Sequence, residues 1–198
     1  MAQNTAYVAA TSPVAETGGV LWAPLGTALP TDATTALNLA LYTPLGYVSE
    51  DGLQYSGEAA ASEDVTAWGG DTVATLNTTG SIDRRTFKLL EVLNPDVLEF
   101  VFGPDNVTVT PATVSSPTLI SIADKGIEPP KGVFIFEMFT SQGTKIRRCY
   151  PVAQPAINDE DPLTHSGVGG YEIQITGFKD TNGNRSYTYH ALNDELVA

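Results

Sequence analysis

One cysteine and two histidines bound the covalent and metal chemistry open to this chain of 198 residues. Cys149 lies in a strand-like run beside Arg147, Arg148 and Tyr150. Neighbouring guanidinium groups can lower a thiol pKa, but a working nucleophile or redox pair also needs a paired His or a resolving Cys, and the run supplies neither. It reads as a buried structural thiol. His165 and His190 have no cluster of ligand-type residues at metal spacing, and neither is placed by sequence beside a nucleophile. There is no G-x-S-x-G elbow. Gly167-Val168-Gly169-Gly170 precedes a strand pattern and lacks the spacing of a phosphate cradle. Asp180-Thr181-Asn182-Gly183-Asn184 opens like a calcium loop, but the required Gly falls at Arg185 and the closing Glu at Ala191. A hairpin turn accounts for the same residues. Asp159-Glu160-Asp161, in a Pro-flanked loop, reads as hydrated acids. The expectation is a non-enzyme with no cofactor and no resident metal.

Charge is the stronger signal. The chain carries 10 Lys+Arg against 23 Asp+Glu, a net −13, which argues against gripping nucleic acid because phosphate neutralisation takes clustered cations. The first 83 residues hold no Lys or Arg but nine acids, among them Glu58, Glu63, Asp64 and Asp71. Cations come later in tight groups, Arg84, Arg85 and Lys88, then Lys145, Arg147 and Arg148. Segregation of this kind suits sign-complementary docking of one copy on the next better than it suits a monomer with interspersed signs. One cysteine excludes a disulfide framework, which makes assembly in a reducing cytoplasm the simpler expectation. No apolar run approaches the ~18 residues of a spanning helix, and the N-terminal residues do not read as a signal peptide.

The elements that would carry these groups are mostly strands. Residues 1–18 are polar, Ala/Thr-rich and without periodicity, and read as a flexible arm; a first strand is expected in 19–25, then a loop over 26–44 with one helical turn at 36–41. Asp51-Gly52 is a turn signal between short strands. Residues 57–71, with the Trp68-Gly69-Gly70 break, read as a long exposed loop. The β-branched run 72–79 and the alternating run 82–90 are expected to form a hairpin through Gly80-Ser81. Asn94 as N-cap, Pro95 at the first helical position and Gly103-Pro104 as a stop predict a two-turn helix over 95–102. Further strands are expected at 107–110, 118–123, 132–140, 144–152, 171–178 and 185–190, with Gly-containing hairpin turns at 141–143 and 181–184. Short strands with one short helix indicate a mainly β sandwich or barrel rather than a βαβ fold.

The segments GYVSEDGLQYSGE, AWGGDTV and RRTFKLLEVLNPDVLEFVFG, in that order and spacing, resemble the major tail protein of long-tailed, non-contractile (siphovirus) bacteriophages, most nearly those of actinobacteria. The resemblance is close over residues 45–103, and the β pattern to about 190 is compatible with it. It implies a structural virion protein whose hexameric rings stack into a tail tube, the conduit for DNA delivery. Each subunit would lend strands to a closed ring barrel with the helix packed on the sheet. It implies one tube domain over 19–190, an inter-ring loop at 57–71, an N-terminal arm at 1–18 and a C-terminal arm at 191–198. The implied partners are further copies, with tape-measure, tail-tip and tail-terminator proteins; DNA passes through without specific binding, and the chain inserts in no membrane. Its implied place is the virion tail, assembled in the bacterial host cytoplasm. On this reading Glu58, Glu63, Asp64 and Asp71 contribute to the lumen or the ring-to-ring contact. Trp68 packs the loop on a neighbour, and Arg84, Arg85, Arg147 and Arg148 pair with a neighbour's acids. A head decoration protein, a head–tail connector and a carbohydrate-binding module with Trp22 and Trp68 as its platform are the alternatives.

Overall fold

A computed structural model describes residues 8–126, 128–162 and 164–193, with the side chain of residue 78 left aside. The strands are β1 (Thr11–Pro13), β2 (Val20–Pro24), β3 (Thr43–Pro44), β4 (Gln54–Tyr55), β5 (Ala61–Thr66), β6 (Thr72–Thr79), β7 (Asp83–Leu89), β8 (Val107–Thr110), β9 (Leu119–Ile122), β10 (Gly132–Thr140), β11 (Lys145–Glu160), β12 (Tyr171–Gly177) and β13 (Tyr187–Ala191), with one helix, α1 (Pro95–Phe102). A single antiparallel sheet in the order β3-β2-β10-β11-β12-β7-β4 organises the chain; β1 extends it on β10 and β13 on β11. The fold is mainly β with the helix packed on the sheet, as the strand pattern implies.

The sheet is apolar on both faces at its centre because β10 is nearly continuous in apolar residues, GVFIFEMFT. Alternation sends Phe134 and Phe136 to the helix side, where they join Phe87, Leu89, Tyr150, Ile173, Ile175 and the buried face of α1. Val133 and Ile135 go to the other side, with Leu21, Cys149 and Tyr42. Residues 26–42 cover that second side through Leu29, Leu37 and Tyr42. They do so as irregular chain with a single α-type turn at 38–42, where Tyr42 N donates to Asn38 O at 3.1 Å, slightly later than the helical turn expected at 36–41.

The helix forms where local signals place it. The Asn94 side chain accepts from Asp96 N at 3.0 Å, and Gly103, at φ 89°, closes the last turn by donating to Glu99 O at 2.9 Å. Two turns are too short to persist alone, so burial of Val97, Leu98, Phe100 and Val101 on the sheet holds them. Asn94→Ala removes the cap and is expected to cost about 0.5–2 kcal/mol, read as a lower urea midpoint at unchanged slope.

Several pairings differ from expectation. β6 pairs with β5 and not with β7, so residues 61–66 of the expected loop are a strand and the 72–79/82–90 hairpin does not form. The Asp51-Gly52 turn is present, with Gly52 N donating to Ser49 O at 3.0 Å, but both its flanks pair with β7 instead of each other. The 141–143 turn joins the paired strands β10 and β11, whereas 181–184 leads β12 into β13, which lies on β11. Asp159 and Glu160 belong to the end of β11 rather than to a loop. Within the expected N-terminal arm, β1 is paired with β10; residues 1–7 lie outside the described ones, as do 194–198 of the expected C-terminal arm.

Candidate functional site

The β5–β6 hairpin stands off the sheet. Its base is closed by Glu58 and Ile82, which exchange N–H···O bonds of 2.9 Å in both directions. Its tip turns through Ala67–Asp71, where Ala67 N donates to Asp71 O at 2.8 Å and Gly69 and Gly70 hold φ of 120° and 93°, values that favour glycine. Every described side chain along both strands is exposed, and Trp68 at the tip is fully so. Register sets Glu63 opposite Leu76 and Val65 opposite Ala74 on one face, with Asp64 opposite Thr75 on the other; Thr75 Oγ1 donates to Asp64 at 2.7 Å. The hairpin carries Glu63, Asp64 and Asp71 and no cation. A two-stranded ribbon alone in water is marginal at best, and this one presents Trp68, Val73 and Leu76 to solvent.

A family model described as phage tail tube protein matches residues 1–195. The chain belongs to the phage tail tube protein family. That family is one of structural tail proteins, which places this tail tube protein in the virion tail, assembling with itself and other tail proteins, and selects this reading over the decoration, connector and carbohydrate-binding alternatives. Among solved structures, the anti-feeding prophage cap, a tube-terminating cap studied by electron cryomicroscopy, is similar at 10% identity, covering 96% of this chain and 100% of that one with a TM-score of 0.42. No curated protein matches the chain.

The arginines of this tail tube protein do not form the two patches that their adjacency in sequence suggests. Strand alternation sends Arg84 and Arg85 to opposite faces of β7. Arg84 pairs with Glu58 at the foot of the hairpin. Arg85 turns inward, where its Nε donates to Tyr150 OH at 2.8 Å, its guanidinium lies 4.6 Å from the Tyr55 ring centre, and Asp83 is 3.4 Å away. Burial pushes the Tyr150 hydroxyl pKa up. Arg147 and Arg148 are likewise split across β11. Arg148 is half-buried, with Nε donating to Thr188 Oγ1 at 3.2 Å.

Arg147 corrects the sequence reading. It is 0% exposed and is consumed inside the chain, not presented to a neighbour. Nε and Nη2 donate to Glu137 Oε1 at 2.9 and 2.5 Å, Nη1 donates to Asp32 O at 2.7 Å, and Nη2 to Thr35 O at 2.7 Å. The guanidinium thus clasps the 26–42 segment onto the sheet. The Asp32 carboxylate stiffens the same turn by accepting from the Thr34 and Thr35 amides, each at 2.6 Å. The Thr35 hydroxyl, then these amides, hold its pKa below the ordinary carboxylate range. Beside the clasp, burial pushes the Cys149 thiol up to about 12, the reverse of an activated nucleophile.

Glu137, which sequence reasoning passed over, had a signal. It is the lone charge in the most apolar strand, and in the antiparallel register it faces Arg147. Lys88 is the other missed partner: its Nζ lies 2.7 Å from Asp161, whose hydrogen bond raises the ammonium pKa. No group of three or more His, Cys, Asp or Glu able to hold a metal occurs among the described residues, and none of their helices is long and apolar enough to cross a membrane.

Proposed function

We propose that this chain forms hexameric rings that stack into the non-contractile tail tube of a siphovirus, of the kind found on actinobacterial hosts, and that the tube is the conduit for DNA delivery. Subunit sheets join edge to edge into a closed ring barrel. Tape-measure, tail-tip and terminator proteins set where the tube starts and stops, and assembly takes place in the host cytoplasm. The observation that carries this reading is the β5–β6 hairpin, which supplies an arm of exposed apolar and acidic side chains to lie on the next ring. Glu63, Asp64 and Asp71 meet cations of a neighbour there. Arg148, with no carboxylate at ion-pair distance among the described residues, is a cation we assign to that contact. Because pairs of this kind are screened by salt, tube formation weakens as ionic strength rises.

Trp68→Ser tests the arm. Its side chain is fully exposed, so the variant subunit is expected to melt within about 0.5 kcal/mol of the native one. Tubes seen by negative-stain electron microscopy are expected to be lost or greatly shortened. Variant tubes as long and as abundant as native ones would remove the hairpin tip from the contact.

A further inference from the structure

The two faces of the sheet end differently. On the side opposite the helix, residues 26–42 cover β2, β10 and the start of β11, but beyond them the face of β4, β7, β12 and the later part of β11 reaches solvent. Register brings Gln54, Arg84, Thr86, Lys88, Glu172 and Gln174 together there, while Asp83, Arg85, Phe87 and Leu89 point the other way toward α1. The exposed area is therefore built of amides, hydroxyls and a few charges. Both of its cations are matched within the chain, each by a carboxylate from outside the strand that carries the cation. Arg84 pairs with Glu58, before the hairpin, and Lys88 with Asp161, just past β11. Glu172 is held by Asn158 Nδ2 at 2.9 Å.

We infer that this polar face is the wall past which duplex nucleic acid moves, and that Glu58 and Asp161 mask Arg84 and Lys88 so that the wall holds no phosphate. The inference rests on the tube reading. Phosphate retention requires Lys or Arg free to displace counterions. A face whose cations are already paired, among uncharged amides and hydroxyls, presents a polyanion with nothing to grip. Net acidity then repels DNA at long range, while local pairing prevents adhesion at contact. The long stems of Arg84 and Lys88 still lie across the sheet surface, as such side chains do.

Two measurements on assembled tubes test this. Gln174→Cys places one reactive thiol on the face, and Cys149, fully buried with its pKa pushed up to about 12, stays silent. A small maleimide is expected to label Cys at this position in intact tubes, and a maleimide bearing a long polyethylene glycol chain is expected to fail. Labelling by both would put the face on the outside of the tube, and labelling by neither would put it between subunits; either overturns the inference. If native protein forms no tubes even in the presence of the tail-tip proteins that start them, the tube reading itself fails, which is seen before any variant is made. The second measurement assembles tubes in the presence of short duplex DNA and assays DNA in the pelleted tubes. The E58Q/D161N variant is expected to retain about tenfold more duplex than native tubes at low ionic strength, with the excess lost as salt rises. Adding R84Q and K88Q returns retention to the native level. Asp161→Asn with Glu172→Gln removes both the carboxylate paired with Lys88 and the one opposite it on β12, and gives the same test should the E58Q/D161N variant not assemble. Retention no higher than native in these variants overturns the masking role.

Discussion

Arg147→Ala is expected to lower subunit stability by about 3–5 kcal/mol, the cost of leaving a buried partner charge uncompensated. At ~2–4 °C per kcal/mol for a chain of this size, the melting temperature falls on the order of 10 °C. Glu137, 4% exposed, loses its principal partner and keeps only Lys145 at 3.7 Å. The carbonyls of Asp32 and Thr35 lose their donor at the same time. A second readout separates this loss from general destabilisation. Amide exchange across residues 26–42 rises in Arg147→Ala at temperatures where the sheet remains protected. Replacing the pair together, Arg147→Met with Glu137→Leu, recovers much of the loss, because apolar side chains of similar volume replace a buried ion pair well. Recovery stays incomplete because the two carbonyls remain without the guanidinium. A single variant that melts with the native protein would show that the clasp contributes nothing.

Phe134→Ala is expected to cost about 3–5 kcal/mol, combining lost transfer free energy with the cavity left behind. Phe134 is 0% exposed on β10, between β2 and β11. Its ring meets Phe100 of α1 edge to face at 5.9 Å and 79°, and Phe100 in turn meets Trp22 of β2 at 5.8 Å. The side chain therefore ties α1 to β10 and β2 within the helix-side core. Phe134→Leu retains most of the apolar volume and is expected to cost clearly less. Urea denaturation with a shifted midpoint and common slope measures both variants, and equal costs for the two would contradict the cavity argument.

Local signals were legible and partner choice was not. The helix is written in four adjacent features, the Asn94 cap, Pro95, the apolar spacing and Gly103, each acting within one turn. The runs of β2, β10, β12 and β13 were legible as strands for the same reason, whereas β3 falls in the segment 26–44 expected to be loop. The β5–β6 pairing was not, because Gly80-Ser81 is a sound turn and residues 72–79 could pair forward or backward. The backward partner, ASEDVT, has no apolar alternation of its own and becomes a strand only through pairing. The strand expected over 144–152 runs on to Glu160, through Pro151 and Pro155. Pro151 lies where the β10–β11 register shifts, and Pro155 lies past the last β10 partner, Ala153, where one edge of the strand has no β10 neighbour. Both are sites where a missing N–H is tolerated. The arginine pairs misled because adjacency in sequence means opposite faces on a strand. The same alternation that separates Arg84 from Arg85 builds the polar face.

β11 also sets when the molecule can come into being. It is the strand on which β10, β12 and β13 all lie, and it comes late in the chain. β2 leaves the ribosome more than a hundred residues before its neighbour β10, an interval on the order of ten seconds at ordinary translation speeds. Until then only short contacts such as β2 with β3 and β4 with β7 are available within the sheet. The acidic first 83 residues thus spend that interval as nascent chain, and their uniform sign keeps chains on neighbouring ribosomes apart. Segregation of the cations to residues 84 onward is thus also a form of protection against coaggregation before the sheet can close.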